Sequence, residues 1–236
     1  MSATRAEICV AACADLFAGD GEILASPMGL IPQLGARLAR LTREPDLLLS
    51  DGEAYLQDPD GKIEGWLPYR KVFDVVANGK RHVVMGANQI DRYGNQNISA
   101  IGDHAQPTRQ LLGVRGAPGN TANHKTSYWV PRHSKRVFVD AVDVVSGVGY
   151  NNAKGPFHNV HRVVSNLGVF DFGGPDRCMR VVYIHPDVGI QDVYEQTGFE
   201  LHSDEPEITR EPDERELELI RTVLDPGGRR DREVKA

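Results

Sequence analysis

Apolar residues at Ile8, Ala11, Ala12 and Leu16 recur with the spacing of one helical face, and Gly19-Asp20-Gly21 then breaks the pattern before the short apolar stretch Glu22 to Ala25. The chain therefore opens as helix, turn, strand. A second helix is predicted over Ile31 to Leu41, with Leu34, Leu38 and Leu41 on one stripe. It leads into Leu47-Leu48-Leu49, an unbroken apolar run of the kind that suits a strand buried on both faces. Tyr69 to Ala77 is again helix-like, and His82 to Gly86 reads as a strand ending in glycine.

Further strands are predicted at Leu111 to Val114, Val137 to Val139, Val142 to Val145, Val163-Val164 and Val181 to Ile184, from their β-branched content. Val163 to Phe172, with Asn166-Leu167-Gly168 at its centre, has the pattern of a hairpin. Glu205 to Arg215 is charged and carries Pro206 and Pro212, after which Leu217, Ile220 and Leu224 mark one more amphipathic helix. Alternating helices and buried strands predict an α/β layered domain with a mostly parallel sheet and flanking helices. One domain is expected over residues 1–225, followed by a polar tail at 226–236.

With 236 residues, 40% of them hydrophobic and 25% charged, the chain is long enough to bury a core without disulfide or metal staples. Cys9, Cys13 and Cys178 have no zinc-site spacing and read as structural thiols of a reducing compartment. A net charge of −6 offers no broad positive field to a phosphate backbone, so nucleic acid is excluded as a partner. Arg5, Glu7 and Asp15 interrupt the N-terminal apolar positions, and no apolar run nears the roughly 20 residues of a membrane span. A cytoplasmic protein with no membrane partner is expected.

No phosphate loop, dinucleotide fingerprint, nucleophile elbow or zinc-protease pair is present. The candidate chemistry lies in loops rich in Gly, Asn, Gln and Asp, which follow strands, where α/β sheets bind ligands. Ser50-Asp51-Gly52-Glu53 carries two carboxylates able to act as nucleophile, base or acid, and equally spells a turn. Gly86 to Asn97 contains Asn88, Gln89, Asn95 and Asn97, amides that either orient a ligand or knit the loop internally. Gly113 to Asn120 is glycine-rich, so its backbone N–H groups can approach a carbonyl closely, or it is a plain loop. His158 and His161 are three apart in a stretch that does not read as helix, and no role is assigned to them.

In this order, Gly86 to Asn97, Gly113 to Asn120, Lys135 to Val139 and Val163 to Phe172 resemble the beta subunits of class I coenzyme A transferases, particularly the glutaconate type. The resemblance runs from Ala6 to about Leu224, and within the family it is strongest to subunits of steroid ring-cleaving hydrolases. It implies a class I CoA transferase-like fold and an alpha-type partner subunit in an α2β2 assembly, with the cleft shared between subunits. It implies an acyl-CoA substrate and no cofactor beyond the CoA of that substrate.

The family's transferases show serine-glutamate-asparagine-glycine where this chain has Ser50-Asp51-Gly52-Glu53. Their glutamate is a covalent nucleophile, and aspartate at its position is one methylene shorter. The resemblance thus implies hydrolytic cleavage of a carbon–carbon bond in a cyclic β-keto acyl-CoA from steroid (cholesterol) ring degradation. A true CoA transferase using Asp51 and a non-catalytic scaffold subunit are the alternatives. On the hydrolytic reading Asp51 and Glu53 are the catalytic candidates, the main base coming from the alpha partner. Ser50, Gln89, Asn97, Gly116, Gly119 and Asn120 are then the substrate-binding candidates, and no metal is expected.

Overall fold

The computed structural model describes residues 2–52, 54–68, 71, 74, 77–78, 80–153 and 155–234. They form two compact units where the sequence suggests one domain: residues 1–85 with 209–236, and residues 86–208. The α/β layering expected from the sequence, with parallel strands flanked by helices, is the fold the chain adopts.

In the first unit, α1 (Arg5–Asp15) starts at a reciprocal cap: Glu7 N–H donates to Thr4 Oγ1 at 3.3 Å and Thr4 N–H to Glu7 Oε2 at 2.9 Å. Its small residues let it be buried almost all round. β1 (Leu24–Pro27) follows the glycine turn, and α2 (Leu30–Thr42) then packs on α1. The approach is close enough that a Cβ on Gly35 would stand 2.7 Å from Cys13 Cβ, so glycine is the residue that admits it. β2 (Leu48–Ser50) pairs in parallel with β1, and β3 (Tyr55–Gln57) and β4 (Ile63–Trp66) extend the sheet antiparallel beyond it. β5 (Arg81–Gly86) lies parallel on the other side of β1.

Leu47 and Leu49 are buried, but Leu48 is 48% exposed. The run expected to be covered on both faces is covered on one: Leu47 and Leu49 face the core and Leu48 faces away from it. Of the predicted helix from Tyr69 to Ala77, Lys71, Asp74 and Ala77 are helical, and its remaining members Tyr69, Arg70, Val72, Phe73, Val75 and Val76 lie outside the described residues.

The C-terminal helix Glu214–Glu218 begins at Asp213, whose Oδ1 accepts Glu216 N–H at 2.8 Å, and widens into a π-type segment over Leu219–Leu224 that buries Ile220 and Leu224. Beyond it the expected polar tail is exposed along much of its length but anchored at two points: Arg230 is 6% exposed and Val234 2%. The cause is Glu7, fully buried, whose carboxylate accepts from Arg221 Nε at 2.7 Å, Arg221 Nη2 at 2.8 Å and Arg230 Nη2 at 2.8 Å. The tail is held by charge.

The second unit begins with two small hairpins, β6 (Gln89–Ile90) with β7 (Gln96–Asn97), and β8 (Ala100–Ile101) with β9 (Arg109–Gln110). α3 (Ala117–Asn123) precedes β10 (Lys125–Val130), which is parallel to β11 (Asn159–Ser165). β11 turns back into β12 (Gly168–Asp171) as the predicted hairpin, and β13 (Arg180–Ile184) pairs antiparallel with β12. α4 (Ile190–Glu195) then crosses to β14 (His202–Ile208), parallel to β13. β14 runs into the charged stretch that starts at Glu205, and at the end of the strand order its Pro206 is tolerated. Tyr128, Phe138, Phe170 and Met179 are among the core residues here.

Three expected strands do not form. Leu111 to Val114 is broken by positive φ at Gly113 (85°) and Arg115 (46°), leaving Leu112 72% exposed. Val137 to Val139 ends a turn in which Val137 and Phe138 N–H both donate to Ser134 O, with Phe138 alone bridging Ile90. Val142 to Val145 lies in irregular chain, because Asp143 is drawn to the first hairpin.

Burial by itself pushes the Glu7 carboxyl up, but the bonds from Arg221, Thr4 N–H and Arg230 outweigh it and hold Glu7 at about 2. A lowered carboxyl contributes stability that is present above its unfolded value and is lost as pH falls toward the folded one. Glu7→Gln, which removes the counter-charge that Arg221 and Arg230 share, is expected to cost about 3 kcal/mol near neutral pH. In chemical denaturation as a function of pH, the gap between the two proteins should shrink below about pH 4.5 and close near pH 2. A gap independent of pH would show that the carboxylate charge is not what holds the tail.

Candidate active site

In the first unit the candidate loop leaves the carboxyl end of β2, as expected of a site in an α/β sheet. Ser50 is buried, and its single hydroxyl proton is shared between Ala25 O and Ser26 Oγ, each at 3.1 Å. The same oxygen accepts Gly52 N–H at 3.2 Å. Beneath it Arg81 Nε donates to Ser26 Oγ at 2.7 Å. Burial pulls Arg81 down to about 10, so it stays a cation at neutral pH.

Asp51 turns its carboxylate onto the loop itself. Its Oδ1 accepts Ala54 N–H at 2.9 Å and Tyr55 N–H at 3.1 Å, and Gln33 Nε2 on α2 donates to its carbonyl at 3.2 Å. This is the turn-forming use of aspartate that the spacing allowed. Gly52 has φ 88°, and a Cβ there would stand 2.5 Å from Pro27 O at the end of β1. Glu53, the second carboxylate candidate, lies outside the described residues.

In the second unit Gln89 and Asn97 face each other across the β6–β7 hairpin. Asn97 Nδ2 donates to Gln89 Oε1 and to Ala100 O, each at 2.7 Å, and Asn97 Oδ1 accepts Ser99 N–H at 2.9 Å. Gln89 Oε1 also accepts Asp143 N–H at 3.0 Å, and Gln89 Nε2 donates to Asp143 Oδ2 at 3.0 Å. Of the two uses open to these amides, the internal one is realised. Asn95 does likewise: its Nδ2 donates to Asp91 Oδ2 at 2.7 Å and its Oδ1 accepts Gly149 N–H at 2.8 Å.

The glycine-rich segment coils into α3 rather than staying a loop. Ala117 N–H donates to Val114 O at 3.0 Å and Asn120 N–H to Gly116 O at 2.9 Å, while Pro118 has no N–H. The N–H groups of Gly116 and Gly119 donate to nothing among the described residues. Asn120 is buried, and its carbonyl accepts His124 N–H at 2.9 Å and Thr126 Oγ1 at 3.2 Å.

The structure thus groups Ser50 and Asp51 in the first unit, Gln89 with Asn97 in the second, and Gly116, Gly119 and Asn120 on α3 of the second. The hairpin and α3 are joined through residues 146–148, just after the strand predicted at Val142 to Val145. Ser146 Oγ lies 2.7 Å from Ser99 Oγ, Gln96 N–H donates to Gly147 O at 2.9 Å, and Val148 N–H donates to Thr121 Oγ1 at 3.1 Å. Asp143 and Ser146 were the residues missed. Small and acidic residues between valines were the available signal.

The other sequence candidates stay outside this chemistry. Burial pushes the Cys9 thiol up to about 12 and raises Cys13 as well, so both are inert packing groups. His158 Nε2 pairs with Val148 O at 2.9 Å. Among the described residues no three His, Cys, Asp or Glu side chains gather as a metal site, and no helix is long and apolar enough to cross a membrane.

No family model matches the chain. The IpdB subunit of the cholesterol ring-cleaving hydrolase of Rhodococcus jostii (strain RHA1) is 61% identical to it, over 98% of this chain and 96% of that protein. The crystal structure of Rhodococcus jostii RHA1 IpdAB contains a chain matched with a TM-score of 0.95 at 59% identity, covering 100% of both. Glutaconate coenzyme A-transferase from Acidaminococcus fermentans shares the fold, with a TM-score of 0.83 at 23% identity over 95% of this chain and 96% of that one.

The loop at Ser50 to Ala54 depends on the left-handed backbone of Gly52. Gly52→Ala is expected to combine backbone strain with the clash on Pro27 O and to lower stability by about 2 kcal/mol. Thermal unfolding measures it. An unchanged melting temperature would mean that the loop takes another path at no cost.

Proposed function

The chain belongs to the family of IpdB subunits of cholesterol ring-cleaving hydrolases, built on the coenzyme A transferase fold, and we propose that it serves as the beta-type half of a two-subunit enzyme that hydrolytically opens a carbon–carbon bond in a cyclic β-keto acyl-CoA from steroid ring degradation. The observation that carries this reading is near-full-length identity to that subunit, with the same fold throughout. An alpha-type partner completes the enzyme. An α2β2 stoichiometry and a cytoplasmic location belong to the proposal.

In the reaction a base removes a proton from water as the oxygen adds to the ring ketone. The bond from that carbon to its neighbour beside the thioester then breaks. Its electron pair becomes the thioester enolate, the proton returns to the released carbon, and the product is an open-chain carboxylate that keeps its CoA. The demand on the protein is a base and donors for developing oxyanions.

Gly116 and Gly119 are proposed as those donors in this chain, since their N–H groups are unused among the described residues. Gln89 and Asn97 are proposed to act indirectly, by fixing the hairpin, because their own polar atoms are engaged there. Asn120 holds the start of α3. Asp51 is assigned the positioning of its loop, and Ser50 its anchoring, with Glu53 adjoining them in sequence. The main base comes from the partner, and no cofactor besides the CoA of the substrate is invoked.

The test uses the assembled two-subunit complex and a cyclic β-keto CoA thioester in oxygen-18 water. One heavy oxygen is expected in the new carboxylate, CoA should stay on the product, and intact-mass analysis should find no CoA on this chain. CoA attached at Asp51 and passing to an added carboxylate would replace the hydrolase with a transferase. Equal turnover by the partner alone would reduce this chain to a scaffold.

A further inference from the structure

The hydrogen bonds of the first unit connect a buried cation to the candidate loop in three steps. Arg81, at the start of β5, donates to Ser26 Oγ; Ser50 Oγ donates to the same oxygen; and Gly52 N–H donates to Ser50 Oγ. All three side chains are buried, Ser26 at 1% exposure. None of this relay was singled out in the sequence except Ser50, because Ser26 and Arg81 sit inside strands.

We propose that Arg81 and Ser26 are positioning residues for the reaction, acting through Ser50 to fix the peptide that joins Asp51 to Gly52. The proposal deepens the ring-cleavage reading and rests on it for the identity of the chemistry. Besides the bond from Gln33 Nε2 to the Asp51 carbonyl, three constraints meet on that peptide. Gly52 is held at φ 88° against Pro27 O, its N–H is held by Ser50, and Asp51 Oδ1 is held by Ala54 and Tyr55. The second is adjustable only through the hydroxyls below it.

Ser26 is the node. Its oxygen accepts from both Arg81 and Ser50, and a hydroxyl oxygen has two lone pairs, so both are occupied. The donor from Arg81 is charge-assisted and buried, which makes it stronger and more directional than a neutral hydrogen bond. Removing the Ser26 hydroxyl leaves Arg81 Nε without this acceptor and Ser50 free to turn wholly to Ala25 O. Gly52 N–H then loses a fixed acceptor, and the peptide joining Asp51 to Gly52 loses one of its anchors.

Ser26→Ala and Arg81→Met, with Arg81→Lys as the conservative variant, test this in the assembled complex. Two readouts are taken: hydrogen exchange of the Gly52 amide, and kcat and KM for whichever of ring opening or CoA transfer the unsubstituted complex catalyses. Ser26→Ala and Arg81→Met are expected to exchange Gly52 about tenfold faster and to lose about tenfold in kcat with KM nearly unchanged, on the scale of one charge-assisted hydrogen bond. Arg81→Lys should recover part of both.

Ser26→Ala added to Asp51→Asn should cost little beyond Asp51→Asn alone, because both act through one loop. Unchanged exchange at Gly52 overturns the relay. Faster exchange with full kcat, or losses that add fully with Asp51→Asn, overturns the role in the reaction. CoA transfer in place of ring opening by the unsubstituted complex would refute the hydrolase reading instead, and the same variants then judge the relay on that activity.

Discussion

The Glu7 carboxylate, buried and held between Arg221 and Arg230, is what makes the first unit a unit. The chain leaves that unit after Met85 and does not return until Thr209, so its core must be closed by two segments far apart in sequence. Apolar contact through Ile220 and Leu224 draws the returning segment in but specifies its place loosely. The ion cluster specifies it tightly, since a carboxylate without exposure is tolerable only where its partners arrive in register. A second cluster, around the buried Glu216, repeats the logic: Arg210 binds Asp15 at 2.7 Å and Glu216 at 2.7 Å, and Arg43 joins both.

Closing that unit is what sets β1 beside β2, and with it the candidate loop. Pro27 ends one strand and Ser50 the other, and Gly52 fits between them because it has no side chain. The second unit solves a similar problem with amides. A tight hairpin at Gln89 to Asn97 leaves many backbone groups without ladder partners, and Asn95, Asn97, Gln89 and Asp91 supply the missing bonds. Desolvation raises the Asp91 carboxyl even though Asn95 and Tyr93 donate to it, which marks how far from water this knot lies. Polar density in the sequence therefore signals architecture first here.

What was legible in the sequence follows from this. α1, α2, β5 and the β11–β12 hairpin were readable because spacing and turn residues alone decide them. Leu111 to Val114 and Val142 to Val145 misled because β-branched composition says nothing of a left-handed residue next door or of an aspartate recruited elsewhere. The tail misled for another reason: a run of Arg, Asp and Glu looks solvated until a buried Glu7 is known to await it. Of the site, the loop positions were visible and the uses of their side chains were not. Asn97 and Gln89 reveal theirs only once Ala100, Ser99 and Asp143 are seen around them.

The position of Asp51 bears on the chemistry in a way that side-chain length alone does not. A nucleophilic carboxylate must present an oxygen to the thioester carbon, with the reacting atoms brought to about 3–3.5 Å. Aspartate is a methylene shorter than glutamate, and here Oδ1 already accepts two backbone N–H groups of its own loop. Attack by that oxygen would require both bonds to break, uncovering two donors as well as moving the loop. Delivery of water needs nothing of the kind, because an anchored carboxylate holds a loop in place while the proton is taken by another group. The same turn commits Asp51 Oδ1 to its own loop, which supports the proposal of a reaction whose attacking atom is not that oxygen.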